Sequence, residues 1–228
     1  MKCGMIFLAG GLGKRMNNPT PKQMLLLAGK PIMMHVLEKV EEVDKIEKIV
    51  ITCPKDHIDG IRQMINNHNI KKEIEYVEGG ETRQDSVYNG LMALEGFDTV
   101  IIHEAVRPFV SADEFKALVD CEYENAFYGV DIPFTVLEGN SVVTGILERD
   151  KLINVQLPQK FNYAKLLDAH NKAKEEGKQF TEDASMFYCY EEDKVKILEG
   201  THHNIKITNP VDLIVGENIY KEYFLRRN

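Results

Sequence analysis

Met5-Ile6-Phe7-Leu8-Ala9-Gly10-Gly11-Leu12-Gly13-Lys14-Arg15-Met16 decides the fold class. Its first four residues are an unbroken apolar run, the pattern of a strand buried on both faces. Gly10, Gly11 and Gly13 then permit a tight turn and a close approach of backbone to ligand. The N–H groups of such a turn can cradle phosphate. Lys14 and Arg15 add positive charge there, and an arginine can grip phosphate oxygens in pairs. The stretch predicts a nucleotide or sugar phosphate bound at the carboxyl end of the first strand of an α/β sheet. Spacing excludes two other glycine motifs. A dinucleotide fingerprint starting at Gly11 and Gly13 would need glycine where Met16 stands, and a P-loop ending in Gly29-Lys30 would need glycine where Met24 stands. Taken alone, the stretch also reads as a plain flexible turn from strand to helix.

Strand and helix patterns alternate downstream. Ile46–Thr52, Ile74–Val77, Thr99–His103 and Tyr128–Pro133 read as strands. Ile32–Val43 and His57–Ile65 carry apolar residues at helical spacing, and further helices start at Thr82 and Ser111. The alternation predicts a mostly parallel sheet with helices on both faces. Between the glycine loop and the first of these helices, Pro19 and Pro21 mark an irregular loop carrying Lys22. Lys14, Lys22 and Lys30 read equally well as solvated cations.

Gly79-Gly80-Glu81-Thr82-Arg83-Gln84-Asp85-Ser86 ends one strand and opens a helix, with Thr82 as cap and Asp85 as the capping-box acid. The cap alone accounts for these residue types. A ligand at the same helix end accounts for them too, with Arg83 toward phosphate and Gly80 and Ser86 toward base or ribose. Glu104 closes the next strand, where a magnesium ligand belongs in a nucleotide-using sheet protein. Arg107 follows it, and the alternative is a local Glu104–Arg107 ion pair with His103 packed beneath the loop. No paired-histidine zinc spacing and no serine elbow appear, which argues against hydrolase chemistry.

The stretch from Phe134 to Gln156 breaks the α/β rhythm. Val136-Leu137 and Val142-Val143 flank Glu138-Gly139-Asn140, the pattern of an inserted antiparallel hairpin. Such a hairpin is marginal unless it packs on something, so it covers its own domain or reaches a partner subunit. Arg149 lies near its return. Leu157–Phe161 reads as a loop entering a helix, and Thr181 as the cap of a helix with Asp183 and Ala184 in its first turn. Val195–Leu198 and Asn204–Thr208 read as short strands, and Pro210 opens the last helix. Lys206 faces away from Ile205 and Ile207, as a solvated cation or as a ligand contact.

Composition narrows the partners. The net charge of −8 argues against a general nucleic-acid binder but leaves small anionic ligands open. The start, Met1-Lys2-Cys3-Gly4, runs directly into the first strand, leaving no room for a signal peptide, and no apolar run is long enough for a membrane span. Four widely spaced cysteines match no metal site and read as free thiols, so a cytoplasmic location is expected. The expectation is one domain over residues 1–228, with 134–156 as its protruding arm.

These motifs together resemble the methylerythritol-phosphate cytidylyltransferase family, including its relatives that use ribitol 5-phosphate. Leu8 to Met16 with Pro21-Lys22-Gln23 resembles the family's nucleotide loop. Gly79-Gly80 with Arg83 to Val87 resembles its cytidine-contacting segment, and His103 with Ala105 to Pro108 its metal-bearing strand end. Pro158-Gln159 with Phe161, Asp183 to Ser185, and Asn204 to Thr208 complete an ordered series along nearly the whole chain. The resemblance implies a Rossmann-like fold and transfer of CMP from CTP to a polyol phosphate, with release of pyrophosphate. Magnesium, a homodimer whose arm reaches the neighbouring site, and isoprenoid biosynthesis are implied with it.

The resemblance also implies roles. Arg15 and Lys22 would neutralise the triphosphate, with Lys14 helping. Ala9, Gly10, Gly11, Gly13, Gly80, Arg83, Asp85 and Ser86 would bind the nucleotide. Glu104 would hold the metal. Glu104, Arg107, Thr181 and Lys206 would surround the acceptor, with Thr135 and Arg149 arriving from the other subunit. Arg15, Lys22, Arg149 and Lys206 would be the catalytic set. The chain departs from the family pattern at Glu104, where aspartate is usual, at Phe134-Thr135, where aspartate-threonine is usual, and at Leu157, where threonine is usual. Ala9-Gly10-Gly11 is closer to the ribitol branch, whereas Gln84 to Gly90 favours the methylerythritol branch, the acceptor preferred here.

Overall fold

A computed structural model of the chain describes residues 1–11, 16 and 18–225. β1 (Cys3–Leu8) is buried along its whole length. Its side chains alternate between two cores, Met5 and Phe7 entering one and Ile6 and Leu8 the other, as the two-residue period of a strand requires. The chain then forms a small hairpin, β2 (Leu26–Leu27) and β3 (Lys30–Pro31), before α1 (Ile32–Glu41). Next come β4 (Ile46–Cys53), α2 (Ile58–Asn66), β5 (Glu73–Glu78), α3 (Arg83–Met92), β6 (Thr99–Glu104), α4 (Ala112–Asp120) and β7 (Ala126–Asp131). After the hairpin of β8 (Leu137–Gly139) and β9 (Val143–Ile146) follow β10 (Ile153–Asn162), α5 (Tyr163–Glu175), α6 (Asp183–Tyr190), β11 (Lys196–Glu199) and α7 (Pro210–Tyr220).

The main sheet runs β11-β7-β10-β6-β1-β4-β5. β4 and β6 flank β1 in parallel, β5 extends the same direction, and β11 is parallel to β7. Helices cover both faces. Met33 and Leu37 of α1, Ile61 of α2 and Phe115 of α4 fill the first core. Val87 and Leu91 of α3, Leu166 of α5 and Phe187 of α6 fill the second. Each such side chain, fully buried, contributes about 1.5–3 kcal/mol against the entropy of ordering the chain. Gly90 lets α3 press onto β1, since a Cβ there would stand 2.8 Å from Ile6 Cγ2. This close approach brings the α3 N-terminus beside the ends of β1 and β6.

Three expectations need correction. Leu157–Phe161 is not a loop but the middle of β10, which runs antiparallel between β6 and β7. Residues 156–161 are buried, so no alternation survives to mark a strand. Pro158, which has no N–H to offer, sits where the pairing with β7 shifts register between Gln156 and Gln159. The strand expected over Tyr128–Pro133 begins earlier, at Ala126, and ends at Asp131. Asn204–Thr208 is not a sheet strand; it is fixed by the Ile207 N–H donating to the Val106 carbonyl at 2.8 Å. Ile207 packs with Leu27, Ile32 and Phe109 in a third cluster, against Leu213 of α7. Among the described residues no helix is long and apolar enough to cross a membrane.

The hairpin of β8 and β9 leaves Phe134, Val142, Val143 and Ile146 largely exposed. Its base is the pairing of Ile153–Gln156 with Asp131–Tyr128.

Candidate active site

A cavity of about 890 Å³ opens at the carboxyl ends of β1, β4, β5 and β6. This is where an open parallel sheet places its ligand, because the strand order switches there: β1 leads on to β4 on one side, while β6 on its other side is entered from β5. Leu8 to Gly11, Lys22, Gly80, Arg83, Ser86, Glu104 and Lys206 all line it.

Lys22 sits in a short helical turn, Lys22–Met24, entered from Pro21. It is buried, and a Cβ added to Gly11 would lie 4.0 Å from its Cε, so its side chain runs along the glycine loop. Gln23 explains the placement. Its Nε2 donates to the Ala9 carbonyl at 2.7 Å, while the Ala9 N–H donates to the Thr52 carbonyl at 2.8 Å. The Pro21-Lys22-Gln23 segment is thereby anchored to the end of β1. Gly13, Lys14 and Arg15 lie outside the described residues.

The α3 N-terminus carries the expected capping box, with Thr82 Oγ1 accepting from the Asp85 N–H and Asp85 Oδ2 accepting from the Thr82 N–H. Asp85 is exposed and is not among the residues that line the cavity. The cap accounts for it. Ser86 Oγ donates to the Thr82 carbonyl at 2.9 Å and accepts from the Gly80 N–H at 3.1 Å. Gly80 is required by its neighbour, since a Cβ there would approach the Asp85 carbonyl carbon to 2.9 Å. Gly80 and Ser86 therefore face the cavity with those groups committed to the turn, leaving the Gly80 carbonyl and the second lone pair of Ser86 Oγ for a ligand.

Arg83 enters the cavity wall between acids. Nη1 meets Asp183 Oδ2 at 2.6 Å, Nη2 meets Glu182 Oε1 at 2.8 Å, and Nε lies 3.7 Å from Glu104 Oε1. Burial opposes its charge, but the field of Asp183, Glu182 and Glu104 outweighs burial and holds it protonated more firmly than usual. Asp183 is wholly buried, and His170 Nε2 approaches its other oxygen to 3.4 Å. Burial would raise the Asp183 carboxyl, but Arg83 and His170 bring it below the usual range. Glu182 moves the other way, raised by burial, which Arg83 only partly offsets, and by the adjacent Asp183 charge.

Glu104 ends β6 almost fully buried. Its Oε1 meets Lys206 Nζ at 2.7 Å and its Oε2 meets Arg107 Nε at 3.2 Å, while Arg107 Nη1 donates to the Asn204 carbonyl at 3.1 Å. Burial alone would raise this carboxyl, but Lys206 and Arg107, with Arg83, hold it below the usual range. His103 is buried beneath, between the rings of Phe7 and Phe115, and burial pushes it down to about 3, so it is neutral. Both readings of this strand end thus coexist. The local ion pair forms, and Glu104 also faces the cavity through Lys206.

The remaining assignments fall elsewhere. Thr181 is neither cap nor cavity residue: α6 starts at Asp183 with Glu182 at the cap position, and Thr181 is exposed. Thr135 and Arg149 lie exposed on the hairpin and do not line this chain's cavity. Arg149 donates to the Pro133 carbonyl at 3.4 Å and lies 3.6 Å from Asp150. The sequence puts Asp183 in a helix turn and in the family's series of motifs, but does not show its pairing, with Glu182, to Arg83. No spacing signal could show a pair 100 residues apart.

Among the described residues no cluster of three His, Cys, Asp or Glu could hold a metal. Glu104 fits the sparser arrangement of magnesium, which commonly takes one or two carboxylates and completes its shell with substrate phosphates and water.

The family model described as IspD, 2-C-methyl-D-erythritol 4-phosphate cytidylyltransferase, matches residues 3–222. The chain belongs to this cytidylyltransferase family. A 2-C-methyl-D-erythritol 4-phosphate cytidylyltransferase of Clostridium botulinum is 39% identical over 226 residues, covering 97% of this chain and 98% of the relative. One of Clostridium perfringens is 40% identical over 222 residues, covering 95% and 97%. Two solved structures agree in fold. The 4-diphosphocytidyl-2C-methyl-D-erythritol synthase of Anaerococcus prevotii superposes with a TM-score of 0.84 at 26% identity, over 96% of each chain. The cytidylyltransferase of Francisella tularensis does so with 0.80 at 27% identity, over 96% of this chain and all of that one. The expected α/β fold and nucleotidyltransferase class stand, and the chain is an enzyme of the cytidylyltransferase family.

Proposed function

We propose that this enzyme transfers CMP from CTP to 2-C-methyl-D-erythritol 4-phosphate, giving the CDP-linked polyol and pyrophosphate. The observation that carries the reading is that Lys22, Arg83 and Lys206 line one cavity at the β1 and β6 ends, in a chain matched to the family from residue 3 to 222. An oxygen of the acceptor phosphate attacks the α-phosphorus of CTP. The bond from that phosphorus to the bridging oxygen breaks, and pyrophosphate leaves with the electron pair. The nucleophile is already an anion, so no general base is needed. Two anions must instead be held together, and fixed cations do this.

In this reading Lys22, with Arg15 and Lys14 of the glycine loop, neutralises the triphosphate. Lys206 takes the acceptor phosphate, and Arg107 steadies the strand end. Beside Ala9, whose N–H and one carbonyl lone pair are taken by Thr52 and Gln23, Gly10 and the Gly80 carbonyl would offer short backbone groups to cytosine, which favours CTP over purine triphosphates. Glu104 would hold a magnesium ion, which supplies charge neutralisation at the phosphates. The exposed apolar hairpin, residues 134–156, is read as the arm of a homodimer, bringing Thr135 and Arg149 to the neighbouring cavity. A cytoplasmic location belongs to the same reading. The test is pyrophosphate release from CTP and magnesium with methylerythritol 4-phosphate, compared with ribitol 5-phosphate. Release with the ribitol compound alone would favour the second branch, to which Ala9-Gly10-Gly11 is similar.

A further inference from the structure

Glu104 Oε1 has two cations on one side of it. Lys206 Nζ holds it at 2.7 Å, and Arg83 Nε stands 3.7 Å away without a hydrogen bond of its own. A buried, unpaired N–H is costly, so such a group in a folded protein wants an explanation. The two cations differ in freedom. Lys206 is 40% exposed at the cavity, on a flexible stem. Arg83 is pinned by Asp183 and Glu182 through both of its terminal nitrogens.

We infer that Arg83 is a positioning residue that takes over Glu104 when Lys206 leaves it for the acceptor phosphate. The inference rests on the proposed reaction only in assigning that phosphate to Lys206. A lysine that moves to substrate would leave Glu104 Oε1 without its 2.7 Å partner, with Arg107 alone on Oε2, and a buried carboxylate oxygen left without a hydrogen bond is costly. Arg83 Nε needs to close only the gap from 3.7 Å to hydrogen-bond distance to prevent this. Its two acids then act as the fixed end of the device. They hold the guanidinium in the cavity wall, so that the third donor remains available for Glu104. The exchange keeps the carboxylate in place during the reaction, and it makes Arg83 a partner of Glu104 and not a primary ligand of the triphosphate.

The test is a double-substitution cycle at positions 83 and 206, read by urea unfolding. Arg83→Lys keeps a cation for Asp183 and Glu182 but removes the Nε–H that faces Glu104. Lys206→Met removes the present partner. Each partner covers for the other, so the double variant should lose more urea resistance than the sum of the singles, and this excess should vanish in a Glu104→Gln background. Additive losses would overturn the inference. A second measurement needs no refolding. The Arg83 Nε–H resonance of the intact enzyme should shift downfield when CTP and methylerythritol 4-phosphate are added at low temperature without magnesium, and should already be shifted in Lys206→Met. A resonance unchanged in Lys206→Met would overturn the exchange whether or not turnover is found. In turnover, Arg83→Lys should lower kcat about 10-fold with little change in KM for CTP. A wild-type enzyme that released no pyrophosphate would sink the proposed reaction, while leaving the unfolding cycle and the Lys206→Met resonance to judge the exchange.

Discussion

Glu104 and Lys206 are 102 positions apart in sequence and 2.7 Å apart in space. The pair joins the end of a central strand to the segment before the last helix. It places a carboxylate and an ammonium on the wall of one cavity that Gly10 and Gly11 also line. Charge at this point is therefore set by a long-range contact together with the local Arg107 pair.

Glu104→Gln should abolish metal-dependent turnover, because the amide keeps the shape but loses the charge that attracts a hard cation. Glu104→Asp should retain activity, since the family pattern has aspartate there. Steady-state rates at several magnesium concentrations check both. Full activity in Glu104→Gln would remove Glu104 from the metal site.

Lys22→Ala and Arg15→Ala should each depress turnover by roughly 10²–10³ if the lost donor acts mainly in the transition state. Lys22 is held in place by the Gln23–Ala9 bond. Gln23→Ala should therefore lower turnover as well, through a displaced Lys22. Turnover near normal in both cation variants would reject these roles.

The charged network predicts an acid profile. Asp183 and Glu104 have folded values below those of the unfolded chain. Their stabilising contribution is full above the unfolded values, about 3.9 and 4.3, and is lost as pH falls through the lowered folded ones. Glu182 is raised, so it has the opposite sign: in the window above about 4.3 the folded state holds the extra proton, and stability drops as pH rises through it. Arg83→Gln should weaken the protein at neutral pH and flatten its loss of stability below pH ~4, because Asp183 no longer gains from the arginine. Urea midpoints measured across pH check this. An unchanged acid slope would contradict the assignment.

The parallel sheet was legible because its strands are short apolar runs punctuated by helices, and β1 leads straight into glycines. Capping at Thr82 was legible because a capping box is local, and the helix start at Ser111 was legible too. β10 was not, since burial erased its alternation and Pro158 resembles a loop signal. In the site, Lys22, Glu104 and Lys206 could be named from the family pattern. The Arg83–Glu182–Asp183–His170 network could not, because it is made of contacts between α3, α5 and α6 that no spacing encodes. Asp85 and Thr181 show that residue type alone does not place a side chain: the first closes a helix cap, the second is exposed, and neither lines the cavity.

The arm assignment has its own test. If Arg149 serves the neighbouring cavity, mixing Lys22→Ala with Arg149→Ala should recover part of the activity, because a mixed dimer holds one site free of both lesions. If both residues served one chain's site, every site would keep a lesion. No recovery, with mixed dimers shown to form, would end the cross-subunit role.

The central claim is that this cavity joins CTP to a polyol phosphate. Pyrophosphate release by the purified enzyme, with CTP, magnesium and methylerythritol 4-phosphate, measures it most directly. The account predicts release that requires both substrates, exceeds that with ribitol 5-phosphate, and is lost in Lys206→Ala. Binding of CTP without pyrophosphate release from either acceptor would contradict it.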